Sequence, residues 1–108
     1  MHYDCYALVQ SGHAIYGVGT TEQEARTAAA GRFDMRYIHE FLDGADPTAA
    51  TVAQQASFCP TLTGAYRLEG CLAVVRCTRA LYEHVRTHGP TTWKEGEDNR
   101  GICLSDER

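Results

Sequence analysis

The stretch TTEQEARTAAAGRFDMRYIHEFL, Thr20 to Leu42, decides the fold. Thr21 followed by Glu24 predicts a capping box: the Thr21 hydroxyl accepts the Glu24 backbone N–H, and the Glu24 carboxylate reaches back to the Thr21 N–H. Beyond the cap, Ala25, Ala29, Phe33, Tyr37 and Phe41 recur every four residues, flanked by Ala28, Ile38 and Leu42. That spacing predicts one apolar stripe along a long helix, small at its start and bulky at its end. Gly31 lies within the stripe and marks a kink, because Gly costs about 1 kcal/mol against Ala inside a helix. Such a helix is the core element of a small domain.

The segments before it read as a hairpin. Tyr3, Cys5, Ala7 and Val9 alternate with Asp4, Tyr6, Leu8 and Gln10, the period of a strand with one apolar face. Ser11-Gly12 supplies a turn, and Ala14 to Gly19 returns as a second strand. Gly17 and Gly19 thin that strand, which lets the helix approach closely. Gly17-Val18-Gly19-Thr20-Thr21 runs from strand to helix like a phosphate-binding loop. It lacks the third glycine of a dinucleotide fingerprint and the Gly-Lys-Ser/Thr of a nucleotide loop, so a strand entering a capped helix accounts for it.

After the long helix, Gly44 suits a helix end, Asp46 an N-cap and Pro47 the first position of a short second helix over Thr48 to Phe58. Thr61 to Gly70 is weakly patterned. Cys71 to Cys77 is apolar on both faces and reads as a central strand. Thr78 caps a helix from Arg79 to His88, with Leu81 and Val85 inward, which Gly89-Pro90 stops. Thr91 to Lys94 and Ile102 to Leu104 form a closing hairpin, and 105–108 read as a polar, flexible tail. The expected class is therefore α+β: one domain over 1–108, ordered ββ-α-(α)-β-α-ββ, with a mainly antiparallel sheet and its helices packed on one face.

Composition narrows the function. The chain has 108 residues and a net charge of −4, with 44% hydrophobic and 22% charged residues. That length supports a real core, and the negative balance disfavours binding driven by phosphate neutralisation. The N-terminus has no signal-peptide pattern, and the longest strongly apolar run, Cys71 to Val75, is too short to span a bilayer. Five cysteines with no C-x-x-C pair read as reduced thiols in a cytoplasm.

Three groups of residues invite a chemical reading. His84 and His88 stand four apart on one helix and would face a shared metal, but no third ligand accompanies them; two solvent-facing histidines suffice. Cys77, just before a helix N-terminus, is the best-placed nucleophile, with Cys59 in a loop as the second candidate; no catalytic signature accompanies either, and small buried core thiols are the better account of Cys71 and Cys77. Asp43 and Asp46 flank a glycine without the twelve-residue calcium pattern. No cofactor is implied.

Charge distribution is more telling. Glu40, Asp43 and Asp46 fall in a segment without Lys or Arg, between Arg36 and Arg67. Glu95, Glu97 and Asp98 occupy the final hairpin turn beside Trp93. Such acidic stretches engage basic partners and speed their encounter, although charge runs often serve only solubility. Asp43, Asp46, Trp93, Glu95, Glu97 and Asp98 are the expected contact residues for a protein partner, with no direct contact to nucleic acid or membrane.

Two stretches carry a resemblance: Tyr16-Gly17-Val18-Gly19-Thr20-Thr21-Glu22-Gln23-Glu24-Ala25 and Arg76-Cys77-Thr78-Arg79-Ala80-Leu81-Tyr82. In style and length the chain resembles small accessory proteins of phages and mobile elements, anti-CRISPR inhibitors among them. The resemblance implies a non-enzymatic, cytoplasmic inhibitor that binds a bacterial effector complex and blocks nucleic-acid binding or nuclease recruitment. The modest charge favours steric occlusion over DNA mimicry. The alternatives are a cysteine-based small enzyme or redox sensor and a metal-binding regulator.

Overall fold

Strand alternation at the start of the chain becomes β1, Cys5–Gln10, which pairs antiparallel with β2, Ala14–Gly19. The computed structural model describes residues 2–11, 14–33, 48–68 and 70–107. The β1–β2 register shifts between Leu8 and Val9, whose partners are Gly17 and Ile15, so Tyr16 is the extra residue of a bulge. The bulge resets the alternation: Ile15 joins Val9 in the larger core cluster, while Tyr16 lies with Phe33 in the other.

Helix α1, Glu22–Ala30, follows β2 directly. Thr21 is its N-cap and accepts the Glu24 N–H at 3.1 Å. The returning half of the box differs from expectation, because the Glu24 carboxylate takes the Thr20 and Thr21 hydroxyls instead of a backbone N–H. Gly31 ends the helix; its N–H closes on the Ala29 carbonyl and it serves as the C-cap. The expected kink is thus a stop, since a residue that weakens a helix interior is well tolerated at its end. The continuation of the stripe through Tyr37, Ile38, Phe41 and Leu42 lies outside the described residues, as do Gly44, Asp46 and Pro47. Close approach explains Gly17: a Cβ there would come within 2.8 Å of the Ala25 carbonyl oxygen on α1.

Helix α2, Ala49–Gln55, is capped by Thr48, whose hydroxyl accepts the Thr51 N–H at 3.1 Å. It ends three residues before the expected Phe58. Ser57–Phe58 instead form a two-residue strand, β3, parallel to β4. Arg26 of α1 secures that break: its Nη1 donates to the carbonyls of Ala53, Gln54 and Ala56 at 2.7, 3.0 and 2.8 Å. These are acceptors that the helix leaves without an internal donor.

β4, Leu72–Cys77, is the central strand that its apolar run predicts. It pairs antiparallel with β1 on one side and parallel with β3 and β6 on the other. Thr78 caps α3, Arg79–His88, and Leu81, Tyr82 and Val85 are its buried residues. β5, Trp93–Glu95, and β6, Ile102–Leu104, close the chain as an antiparallel hairpin. The sheet order is β2-β1-β4-β6-β5, with β3 beside β4.

The α+β class stands as read. The helices, however, divide between the two faces of the sheet. Cys5, Ala7, Val9, Ala73, Val75 and Cys77 pack with Leu81, Tyr82 and Val85 of α3. Leu8 and Val74 pack with Ala29 of α1 and Ala53 of α2. Both faces of β1 and β4 are therefore apolar, because both are covered.

Candidate interaction surface on the acidic hairpin

The turn joining β5 to β6 is built from short-range bonds. Gly96 N–H donates to the Gly101 carbonyl at 2.8 Å, and Asn99 N–H donates to the Gly96 carbonyl at 3.1 Å. Asn99 takes a positive φ of 61°, a conformation that Asn accepts more readily than most residues.

Two side chains from distant parts of the chain hold the turn in place. Tyr3 lies across Gly96 and Gly101, where a Cβ would collide with its ring. Its hydroxyl donates to Asp98 Oδ1 at 2.8 Å, and the Arg100 N–H reaches the same oxygen at 3.3 Å. The Tyr3 hydrogen bond holds the Asp98 carboxyl below its ordinary range. Burial, followed by that bond and the Asp98 charge, pushes Tyr3 up to about 12. On the other flank, Arg67 Nη1 meets Glu95 Oε1 at 2.8 Å and Nη2 meets Asn99 Oδ1 at 3.3 Å.

The result is an acidic cleft of about 530 Å³ whose lining includes Tyr3, Glu95, Glu97, Asp98 and Glu107, with Lys94 the basic residue. Glu97 is exposed. Glu107 accepts from the Thr78 hydroxyl at 3.0 Å, so the last described residues turn back onto the cap of α3. Trp93 is half-buried against the larger core cluster, and its ring seats the hairpin on the domain. Asp43 and Asp46 lie outside the described residues.

Glu95, Glu97 and Asp98 are thus brought to one cleft, as their spacing suggests. Tyr3 and Arg67 were missed by sequence reasoning. Tyr3 and Asp98 are 95 positions apart, and nothing local in either segment signals their bond.

Four of the five cysteines are buried, as the core-thiol reading expects, and the nucleophile candidates are among them. Cys77 is fully buried, and burial, its largest influence, pushes the thiol well above its ordinary value. Desolvation outweighs the stabilisation that a nearby helix N-terminus offers a thiolate. Cys59 is 6% exposed, not open in a loop, and burial raises it too. Cys5 and Cys103 are likewise buried and raised. His84 and His88 do share a helix face, with ring centroids 5.0 Å apart. Among the described residues no group of three or more His, Cys, Asp or Glu side chains is placed to hold a metal.

No described helix is long and apolar enough to cross a membrane. No protein-family model, curated protein or solved structure matches the chain.

Proposed function

We propose that the chain is a non-enzymatic protein-binding module that presents its acidic hairpin to a basic surface of a partner. In its finer form the reading is an anti-CRISPR inhibitor of phage or mobile-element origin. It would occlude the nucleic-acid-binding or nuclease-recruiting face of a bacterial effector complex, and that identity rests on the resemblance of the Tyr16–Ala25 and Arg76–Tyr82 stretches. The compartment is the cytoplasm, a placement supported by five free cysteines.

The observation that carries the reading is the clamped turn. Tyr3 and Arg67 hold the Asp98 and Glu95 carboxylates before any partner arrives. A preorganised site loses less side-chain freedom on binding, and a local negative field raises the association rate. Leu68, which follows Arg67 in the chain, is 64% exposed and adds apolar contact area near that flank.

The test is capture from a bacterial lysate rich in CRISPR effector complexes, using wild type and the E95Q/E97Q/D98N variant. Each replacement keeps an oxygen acceptor, so Tyr3 and Arg67 retain their bonds and the circular dichroism spectrum stays unchanged. Wild type is expected to retain one stoichiometric complex, with affinity falling at least about tenfold in the variant and in high salt. Equal capture by the variant would remove the hairpin from the interface, and capture of nothing by wild type would remove the partner class.

A further inference from the structure

α3 carries two histidines that the acidic hairpin does not use. His84 and His88 stand four residues apart, and a helix places such residues one above the other on the same face. His84 is half-buried and His88 is exposed. Their ring centroids are 5.0 Å apart, and the rings are tilted by 50° instead of stacked. A metal–nitrogen bond is about 2.0–2.1 Å long, so two imidazoles sharing one ion at a right or tetrahedral angle hold their centroids about 4.5–5.2 Å apart. The observed separation falls within that range.

The backbone holds this spacing. Thr78 caps the start of α3, and the Gly89 N–H closes its last turn on the Val85 carbonyl at 2.8 Å. Leu81, Tyr82 and Val85 seat the helix against the core. Among the described residues neither imidazole has a hydrogen-bond or ion-pair partner, so no such bond has to break before a ligand is taken. The C-terminal end of the helix lies at His88, where unmet carbonyls favour a cation. Arg86 is the nearest like charge along the chain. It is two residues from each histidine and so projects from the opposite side of the helix, where its Nη1 donates to the Tyr82 hydroxyl at 3.0 Å.

We propose that His84 and His88 form a chelating site for a divalent transition-metal ion, with water in the positions that the two imidazoles do not fill. Imidazole nitrogens suit copper, nickel and zinc, and the order of affinity among divalent ions places copper(II) first. Two protein donors make an open, exchangeable site, because closed structural zinc sites use four. The two histidines are not among the residues lining the acidic cleft, and metal binding stands or falls separately from the hairpin's partner.

The probe is copper(II) added to the full chain without a histidine tag, followed at the backbone amides of 81–88, so that copper held by other histidines does not count. Those amides are expected to broaden saturably, with one ion per chain at this site. H84Q and H88Q are each expected to weaken binding there at least about tenfold, because the helix no longer presents a second donor at high effective concentration. The circular dichroism spectra of both variants stay unchanged. Zinc is expected to shift the His84 and His88 imidazole resonances together, at higher concentration than copper requires. Absence of broadening at 81–88 in a large excess of copper overturns the proposal. So does a single variant that binds copper at these amides as tightly as the wild type, because one histidine then acts alone.

Discussion

Tyr3 and Asp98 show how one hydrogen bond changes two titrations in opposite directions. The bond favours ionised Asp98, so its contribution to stability is complete above the unfolded carboxyl value and is lost as pH falls through the lower folded value. For Tyr3 the neutral form is favoured. Its contribution, with that of the buried Tyr66, is complete below the unfolded value of 10.0 and is lost as pH rises towards about 12. Phenolate absorbance against pH is therefore expected to reveal Tyr3 and Tyr66 ionising late, with the domain losing stability above pH 10. Tyr3→Phe is expected to raise the Asp98 carboxyl towards 3.8, followed by carbon NMR of the side chain. An Asp98 titration unchanged in Y3F would separate the two residues.

At the scale of elements, Arg26 joins α1 to α2. It is 7% exposed, it donates to three carbonyls at the end of α2, and Glu22 at 42% exposure pairs with it at 3.0 Å. Arg26→Met keeps the apolar stem but leaves those carbonyls without their donor. Urea denaturation is expected to show a loss of about 2–4 kcal/mol, since buried acceptors then go unmet. Glu22→Gln, which removes only a half-exposed charge, is expected to cost under about 1 kcal/mol. Similar costs for the two variants would mean that the ion pair, not the carbonyl cluster, matters. The Glu22–Arg26 spacing of four was legible in the sequence, but the carbonyls it serves were not, because they lie 27 to 30 positions away.

At the scale of the molecule, packing on both faces of the sheet buries four of the five thiols, with Cys71 half-buried. Cys5 and Cys77 are register partners on β1 and β4 and are fully buried, as is Cys103. Their alkylation in the native protein is expected to be slow and to accelerate only with denaturant, since it waits on opening of the core. Rapid labelling of Cys77 in native buffer, read by mass spectrometry, would instead revive a reactive-cysteine role.

The sequence by itself determined what depends on neighbours along the chain. Thr21 and Thr78 named their helices, the two-sided apolar run 71–77 named the central strand, and Glu95, Glu97 and Asp98 named the acidic turn. Only the tertiary structure decided which faces those elements cover and what steadies the turn. β3 has two residues and exists because β4 lies beside it; Gly31 stops a helix whose stripe suggested continuation; Tyr3 meets Asp98 across the domain. Caps and periodicity are local steric and hydrogen-bonding preferences. Sheet order, two-sided burial and the clamp arise from contacts between distant segments, which no local pattern encodes.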